Sequence, residues 1–297
     1  MLSATRRERT DIKPSREDIY TYFERGDHVP VYRTLLADLE TPVSVYMKLT
    51  KTGKPAFLLE SVEGGEHVGR YSFIGVDPKG ILSVKDNIVT LEREGRTTKF
   101  AIPEGQDPLH VIKRHFQTVN PVALEGLPRL VGGAVGFITY DIVRYFERLP
   151  KTATDDLQVP TAAFMLPDTL VIFDHAKHQL IVLANAHNTD DDRDAAYDKA
   201  IQSIDQIVVA LGQPIPHQSY AAQSNEVFED PKSNVEREVY EESVRKGKEY
   251  IRNGDAFQIV LSQRFSRETT ATPLEIYRAL RVTNPSPYMF LLQFSED

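Results

Sequence analysis

Between residues 29 and 100 the chain carries a succession of short strand patterns with no helical pattern between them. Glycine- and proline-containing turns separate these patterns, as they separate the strands of a sheet. The patterns read PVSVYMKL, AFLLES, YSFIG and GILSVKDNIVTLER. Strands that alternated regularly with helices would indicate a doubly wound sheet, but these do not alternate. The chain is therefore predicted to be α+β, with mixed or antiparallel sheets packed with helices.

Helical spacing and capping residues predict where the helices lie. Ser233 and Glu236 are spaced as a capping box, and Asn253-Gly254 is a typical helix stop. Thr272, Pro273 and Glu275 combine an N-cap, a proline at the first helical position and an acid at the third. Helices are predicted near 17–26 and 107–119, over 190–211, from Ser233 to Gly254, and from Thr272 to Asn284. Further strands are predicted at 161–173, 179–184, 256–265 and from 288 onward.

Residues 212–232 are rich in proline and glutamine and show no periodicity. A stretch of this kind is typical of a linker or a crossing loop. It separates a first domain, predicted at 17–211, from a second, predicted at 233–297. The polar and basic start, residues 1–16, is predicted to be disordered.

The charge balance and the absence of cysteine exclude several function classes. The net charge is −8, so a nucleic acid or an anionic membrane surface is not the expected partner. With no cysteine, the chain has neither disulfides nor thiolate chemistry. No apolar run reaches the length of a membrane span, and the first residues do not form a secretory signal. A cytoplasmic protein that binds small molecules or other proteins is expected.

Two motifs that suggest a ligand do not satisfy the spacing that the ligand requires. The run GGAVGF at 132–137 lacks the glycine offsets of a dinucleotide fingerprint, so its glycines are interpreted as sites of close backbone packing. The acidic run 190–194 lacks the glycine and glutamate of an EF-hand loop, and His175 and His178, which flank a predicted turn, are not interpreted as metal ligands. No metal site is predicted within this chain.

The stretch FLLES places a carboxylate, Glu60, at the inner end of an apolar strand. A buried ionised carboxylate needs a partner, because desolvation costs several kcal/mol. Glu60 is therefore exposed at the strand end, paired internally (perhaps with Arg70), or directed at a cationic ligand. In the third case the stretch forms an amino-acid pocket, with Glu60 for an ammonium group, Arg70 for a carboxylate and Ser61 for either end.

Two later stretches also have a structural and a functional interpretation. In the predicted strand 256–265, the face that carries Gln258 is too polar for a core, so it either meets solvent or lines a polar cavity. The stretch NPSPYM at 284–289 has two prolines that stiffen the backbone. It is either a structural turn or a rigid loop that holds a ligand.

Four long stretches, in this order and spacing, resemble the large subunit of anthranilate synthases (component I), which are chorismate-utilising enzymes. They are FLLESVEGGEHVGRYSFIG, LVGGAVGFITYDIVRYFE, IRNGDAFQIVLSQRF and YRALRVTNPSPYMFLLQF. The resemblance implies a component I-like α+β fold, with 17–211 as the N-terminal domain and 233–297 as the start of the chorismate-binding domain. It implies a lyase that converts chorismate and ammonia to anthranilate and pyruvate, the first step of tryptophan biosynthesis.

The resemblance also implies a regulatory pocket for L-tryptophan, the feedback inhibitor of the family. The family forms this pocket from the LLES strand and the NPSPYM loop. The matching residues here are Glu60, Ser61, Arg70, Asn284, Pro285, Pro287, Tyr288 and Met289. In this interpretation the Glu60 carboxylate binds the ammonium group of the amino acid.

Gln258 bears on which reaction of the family is expected. Related enzymes that add water carry a lysine at the matching position, whereas an amide is not a general base. Gln258 is thus a candidate active-site residue for a nucleophile that needs no activation, namely ammonia. Two alternatives remain: component I of aminodeoxychorismate synthase, and a non-catalytic tryptophan-binding regulatory module.

The family pattern continues beyond residue 297. The resemblance places the catalytic histidine and the Mg²⁺-binding glutamates in that continuation, so catalytic and metal residues are not expected in this chain, and the chain alone is expected to be inactive. It further implies a glutamine amidotransferase partner (component II), which supplies the ammonia, in a heterotetramer.

Overall fold

The structure is a computed structural model that describes residues 11–51, 53–61, 69–117, 120–150, 152–188, 192–216 and 230–294. The chain divides into two compact units. The first consists of Met1–Pro216 with Tyr277–Asp297, and the second of His217–Ile276. By this division, the last part of the predicted second domain lies in the first unit.

The strands pair antiparallel throughout the described residues. In chain order they are β1 (Ile12–Lys13), β2 (His28–Leu36), β3 (Ala56–Glu60), β4 (Tyr71–Val76), β5 (Gly80–Lys85), β6 (Ile88–Arg93), β7 (Arg96–Ala101), β8 (Val135–Ile138), β9 (Ala162–Leu166), β10 (Thr169–Asp174), β11 (Gln179–His187), β12 (Lys232–Ser233), β13 (Phe265–Ser266) and β14 (Met289–Gln293). In the first unit, a seven-stranded sheet has the order β1-β2-β11-β10-β4-β3-β14, and a five-stranded sheet has the order β7-β6-β5-β9-β8.

Helices accompany these sheets. They are α1 (Arg16–Phe23), α2 (Pro42–Leu49), α3 (Pro108–Gln117), α4 (Arg193–Leu211), α5 (Arg237–Asn253) and α6 (Pro273–Thr283), with a 3₁₀ helix at Tyr140–Tyr145. Helix α4 packs on β11 and β2 of the seven-stranded sheet. It buries Tyr197, Ile204 and Leu211, which recur at helical spacing on one face.

A shared hydrophobic cluster joins the two sheets of the first unit. Phe57, Leu170 and Ile172 come from the seven-stranded sheet, and Val135 and Met165 come from the five-stranded one. Successive side chains of a strand point to opposite faces of its sheet. The opposite face of the seven-stranded sheet is therefore available to α4, which explains why β10 and β11 are buried almost along their whole length.

The predicted α+β class with antiparallel sheets and helices is confirmed. The helix predicted from Thr272 is also confirmed: the Thr272 N–H donates to a carboxylate oxygen of Glu275 (2.8 Å), and the Glu275 N–H donates to the Thr272 hydroxyl (3.3 Å). Gly254, with a positive φ of 83°, ends α5 as predicted. In the glycine run, a Cβ at Gly136 would overlap the carbonyl oxygen of Ala163, so the prediction of close backbone packing is confirmed there. It is wrong for Gly133, where a Cβ would meet nothing within 4 Å and the positive φ of 93° is what favours glycine.

The predicted strand PVSVYMKL is wrong, because this stretch forms α2. Thr41 is the N-cap, and its hydroxyl accepts from the Ser44 N–H (3.1 Å) while the Thr41 N–H donates to the Ser44 hydroxyl (2.8 Å). Pro42 follows at the helix start, where its missing N–H costs nothing. Local capping thus outweighs the β-branched and aromatic residues that suggested a strand.

Two predictions in the second unit are wrong as well. Helix α5 begins at Arg237 rather than at Ser233, because the Ser233 hydroxyl accepts from the Val235 N–H in a local turn instead of capping a helix. The strand predicted at 256–265 is reduced to β13, and the stretch that contains Gln258 is irregular. Phe257 is 95% exposed and Val260 is 81% exposed, and no strand within the described ranges pairs with this stretch.

The predicted disordered start is partly wrong, because residues 12–16 are ordered. Ile12–Lys13 pair with β2, and the Ser15 hydroxyl accepts from the Asp18 N–H at the start of α1. Residues 1–10 lie outside the described residues, as do residues 217–229 of the predicted linker.

Candidate functional site

The two stretches predicted to form a pocket are neighbours in the structure. Strands β3 and β14 pair antiparallel, and their register places Met289 opposite Glu60 and Phe290 opposite Leu59. Directly opposed residues of an antiparallel pair have Cβ atoms only about 5 Å apart. The FLLES strand and the strand that follows NPSP therefore meet at their functional ends, although more than half of the chain separates them.

Glu60 is buried, with only 3% of its surface exposed. Its Oε2 atom accepts two hydrogen bonds from α6, one from the Tyr277 hydroxyl (2.8 Å) and one from Nε of Arg281 (2.9 Å). Both donors lie on the same helix face, because they are four residues apart. The predicted internal partner of Glu60, Arg70, is therefore wrong, and Arg281 is the cation that compensates its charge.

The second oxygen of Glu60 is not used in this way. Both described donors bind Oε2, and no described side chain donates to Oε1. Both described donors to Glu60 therefore bind the same carboxylate oxygen. A carboxylate oxygen has two lone pairs, and moving it out of water without a donor costs free energy.

The pKa values of the two donors reflect this buried contact. Burial raises the pKa of Tyr277, and its hydrogen bond to the Glu60 carboxylate raises it further. The hydrogen bond to Glu60 raises the pKa of Arg281, although burial opposes this effect. Tyr277 thus remains a neutral donor and Arg281 a cation throughout the physiological pH range.

Sequence reasoning missed both donors. Tyr277 is 4% exposed, and it lies with Arg281 on the helix that leads directly into NPSPYM. Their spacing on α6 was a readable signal that one helix face carries two hydrogen-bond donors. Nothing in the local sequence, however, showed that this face meets the end of β3.

Ser61 begins a short polar chain beside Glu60. Its N–H donates to the hydroxyl oxygen of Ser72 (3.2 Å), and that hydroxyl lies 2.8 Å from Nε2 of His175. Burial lowers the pKa of His175, while the nearby Glu60 and Asp174 carboxylates oppose this shift. His175 is thus placed as a neutral hydrogen-bonding group that fixes Ser72, and Ser72 fixes the Ser61 backbone.

Arg70 pairs with Asp174 rather than with Glu60. Its Nε and Nη2 donate to the two carboxylate oxygens of Asp174 at 3.0 and 2.7 Å. Burial would raise the pKa of Asp174, but the hydrogen bonds and the charge of Arg70 outweigh it and lower the pKa. Among the described residues, this contact uses Nε and Nη2 of the five N–H groups that a guanidinium carries on three nitrogens, and it does not use Nη1.

The NPSPYM loop leaves α6 and enters β14. The Asn284 N–H donates to the Leu280 carbonyl oxygen (2.8 Å), which closes the last turn of the helix. Pro285 and Pro287 are exposed, and Tyr288 is 72% exposed. Ser286 and Met289 are half-buried, and Met289 lies opposite Glu60. The structure therefore brings the predicted loop to the site with most of its surface open.

Gln258 lies in the second unit and is exposed within an irregular stretch. The strand that was predicted to carry Gln258, and on which its active-site role was based, does not form here. As for metals, the described residues contain no group of three or more His, Asp or Glu side chains placed to hold an ion. Across the same residues, no helix combines the length and apolar character needed to cross a membrane.

Comparisons with known proteins identify the family of the chain. Residues 54–297 match the family described as chorismate binding enzyme. The chain is 41% identical over 285 residues to anthranilate synthase component 1 of Mycolicibacterium smegmatis, covering 95% of this chain and 53% of that protein. It is 37% identical over 288 residues to the component 1 protein of Acetivibrio thermocellus, covering 95% and 57%.

A solved structure shows the same likeness. The crystal structure of anthranilate synthase component I from Streptococcus pneumoniae aligns with a TM-score of 0.55 at 26% identity, covering 85% of this chain and 53% of that one. The chain thus spans about half the length of the relatives that it matches. The resemblance to anthranilate synthase component I inferred from the four motifs is confirmed.

Proposed function

The chain belongs to the chorismate binding enzyme family, and from this premise we propose that it is part of an anthranilate synthase large subunit. The proposed reaction joins chorismate and ammonia to give anthranilate, pyruvate and water. The identity of 41% to a component 1 protein supports this choice over aminodeoxychorismate synthase. It also disfavours a stand-alone tryptophan-binding module, since that protein is named for the synthase.

We propose that the role of the described residues in this enzyme is to bind the effector L-tryptophan beside Glu60. The observation that carries the proposal is the register of β3 and β14, which places Met289 opposite Glu60. The Oε1 atom of Glu60 would accept from the ammonium group of the amino acid. A charge-assisted hydrogen bond of this kind contributes about 1.5–3 kcal/mol.

The other predicted residues are proposed to surround this contact. The Nη1 donors of Arg70 are suited to the carboxylate of the same ligand, and Ser61 lies between the two charged groups in sequence. Asn284, Pro285, Pro287 and Tyr288 would form the stiff, exposed side of the pocket. These assignments combine one acidic, one basic and one apolar side, as binding of an aromatic zwitterion requires.

The remaining parts of the proposed enzyme come from the family resemblance. They are a glutamine amidotransferase subunit that supplies ammonia, a heterotetrameric assembly, Mg²⁺ and a cytoplasmic location. The ligands of Mg²⁺ are proposed, from the family resemblance, to lie in the part of the relatives that this chain does not cover. Gln258 remains a proposed active-site residue, where its amide would bind rather than deprotonate the nucleophile.

The effector proposal can be tested without a label, because the chain contains no tryptophan. Added L-tryptophan is then the only indole fluorophore in the sample, and its fluorescence anisotropy reports binding directly. We expect a saturable rise with L-tryptophan and at least about tenfold weaker binding of N-acetyl-L-tryptophan, whose ammonium group is blocked. Equal binding of the two ligands would contradict the role of Glu60.

A further inference from the structure

A cavity lies in the first unit, at the end of the seven-stranded sheet away from Glu60. Its volume is about 490 Å³, within the range of small-molecule sites. Asp168, which immediately precedes β10, lines it, whereas Asp174 at the other end of β10 pairs with Arg70. Because a six-residue strand spans roughly 16 Å, the cavity is distinct from the proposed tryptophan site.

The cavity is basic, although the chain as a whole is acidic. Lys79, Arg93 and Arg129 line it, and Asp168 is the carboxylate among its lining residues. The net charge of the entire chain is −8, so the charge of this cavity is opposite in sign to that of the chain. A concave surface lined by one sign of charge attracts small ions of the opposite sign.

Within the part of the chain that the structure describes, two of these cations have no charged or hydrogen-bonded partner. Arg93, at the end of β6, and Arg129 are exposed, and neither guanidinium donates to another described side chain or carbonyl. Arginine is the side chain best suited to bind carboxylate and phosphate groups, because its fork matches their oxygens. Both arginines are therefore available to a ligand.

The third cation, Lys79, already pairs with Asp168. Nζ of Lys79 lies 2.8 Å from one carboxylate oxygen of Asp168, and the His187 ring contacts the other oxygen. Burial would raise the pKa of Asp168, but its hydrogen bond with His187 and the charge of Lys79 outweigh it and lower the pKa. Asp168 therefore stays ionised and neutralised, so it does not repel an incoming anion.

His28 adds a polar atom that lacks a partner. Its ring packs edge-on against the His187 ring, with the centroids 4.3 Å apart. Its Nδ1 atom is buried and has no hydrogen-bond partner among the described residues. A buried polar atom without a partner costs roughly 1–3 kcal/mol, which a ligand or a water that reached it would offset.

Part of the cavity lining is backbone that one buried side chain holds in place. Asn185 is 8% exposed, and its Nδ2 donates to the Val131 carbonyl oxygen (2.8 Å). A Cβ at Gly132 would come within 3.1 Å of this Nδ2 atom, so glycine allows the close approach. Apolar groups complete the lining: Pro121, Val131, Ala134, Leu166 and Pro167.

We propose that this cavity binds a small organic anion, with an acidic group against Arg93 and Arg129 and an apolar body against the proline- and leucine-lined wall. The acidic group is a carboxylate or a phosphate, since both match the guanidinium fork. The proposal concerns a site that is separate from Glu60, so it does not rest on the proposed tryptophan pocket.

Isothermal titration calorimetry at low ionic strength tests the proposal with three probes of similar size. Benzoate carries a carboxylate, phenyl phosphate carries a phosphate, and benzamide is the neutral counterpart of benzoate. We expect one or both anions to bind at least about tenfold more tightly than benzamide. Tighter binding of benzoate identifies the ligand as a carboxylate, and tighter binding of phenyl phosphate identifies it as a phosphate.

Variants locate the binding to the cavity. The double variant Arg93→Gln/Arg129→Gln should weaken binding of the preferred anion about tenfold or more, since two charge-assisted contacts are lost. Arg96→Gln removes one positive charge from the same β-hairpin outside the cavity, and Glu60→Gln alters the other site. Both controls should bind the anion with unchanged affinity.

The proposal is overturned if benzamide binds as tightly as the anions, if no probe binds, or if the double variant retains wild-type affinity. Because both arginines are exposed and unpaired, the double variant should unfold at the same urea concentration as the wild type. A matching unfolding midpoint therefore assigns any loss of binding to the cavity rather than to misfolding.

Discussion

Arg281 donates from Nε to Oε2 of the buried Glu60 over 2.9 Å, and this contact joins α6 to the end of β3. A buried carboxylate held by one cation and one hydroxyl is costly to disturb, because any partner that remains is left desolvated. The contact therefore supports the fold and also sets the charge that a ligand would meet. The first two predictions separate these two roles.

Glu60→Gln keeps the shape of the side chain and removes its charge. We expect the free energy of unfolding to fall by about 1–3 kcal/mol, because the hydrogen bonds from Tyr277 and Arg281 lose their charged acceptor. L-tryptophan affinity should fall more than about tenfold. Urea unfolding and indole anisotropy measure the two effects. Glu104→Gln, at an exposed position, is the control and should change neither quantity.

Tyr277→Phe removes one donor to Glu60 and leaves the Arg281 contact in place. The free energy of unfolding should fall by about 1–2 kcal/mol in urea unfolding, since a buried hydrogen bond to a charged group is lost. The matched control is Tyr250→Phe on α5, where the tyrosine is 53% exposed. Equal stability of the two variants would mean that the Tyr277 hydroxyl does not stabilise the carboxylate.

Ser61→Phe tests the pocket through its volume. In the full-length enzyme we expect loss of tryptophan inhibition with little change in the rate of anthranilate formation, because the larger ring fills the space beside Glu60. Anthranilate fluorescence follows the rate with and without L-tryptophan. Ser61→Ala should remain inhibitable, since the Ser61 contact to Ser72 comes from its backbone N–H. An enzyme with phenylalanine at this position that stays fully inhibitable would show that the pocket lies elsewhere.

His28 predicts a pH dependence of stability. Burial, aided by the neighbouring His187, lowers the pKa of His28 from 6.5 to about 4, while Asp168 and Asp27 oppose the shift and Lys79 adds to it. The unfolded chain therefore binds more protons in this interval, so stability is full above pH 6.5 and decreases as the pH falls toward 4. Urea unfolding at successive pH values measures this effect. Between pH 6.5 and 4, we expect the free energy of unfolding of His28→Asn to fall by about 1–2 kcal/mol less than that of the wild type. His178→Asn, at an exposed position, should follow the wild-type profile.

The chain alone should form no anthranilate from chorismate, ammonium and Mg²⁺. This prediction follows from the family resemblance, which places the catalytic histidine and the metal ligands outside these residues. Within the described residues, no cluster of His, Asp and Glu is placed to hold the ion. Anthranilate fluorescence above that of a heat-denatured sample would refute it.

Sequence reasoning located the two halves of the candidate site but not the groups that connect them. The FLLES stretch has an acid at the end of an apolar strand, and the NPSPYM stretch has prolines that stiffen the start of a strand. Both signals are local, so the sequence alone was enough to predict that these stretches contribute to a site. The partner of Glu60 was not, because Arg70 is close in sequence whereas Arg281 comes from a helix of another part of the chain. Pairing of charges is set by tertiary packing, which no local pattern encodes.

The same distinction explains the errors in secondary structure. The stretch PVSVYMKL has strand-forming residues, but its own capping box at Thr41 and Ser44 specifies a helix. The stretch that contains Gln258 has an alternating pattern, yet a strand forms only where a neighbour satisfies its backbone. Helix α6, in contrast, was predicted well because residues next to one another in the sequence determine its N-cap and its end.

Strand β14 is the last member of the seven-stranded sheet, so within the described residues one of its sides has no neighbour. That side presents a row of backbone amides and carbonyls, and Phe290 beside it is 67% exposed. An extended segment that docked here would extend the sheet and would lie one strand away from Glu60. A polypeptide that paired with this edge would be separated from the Glu60 carboxylate by β14 alone.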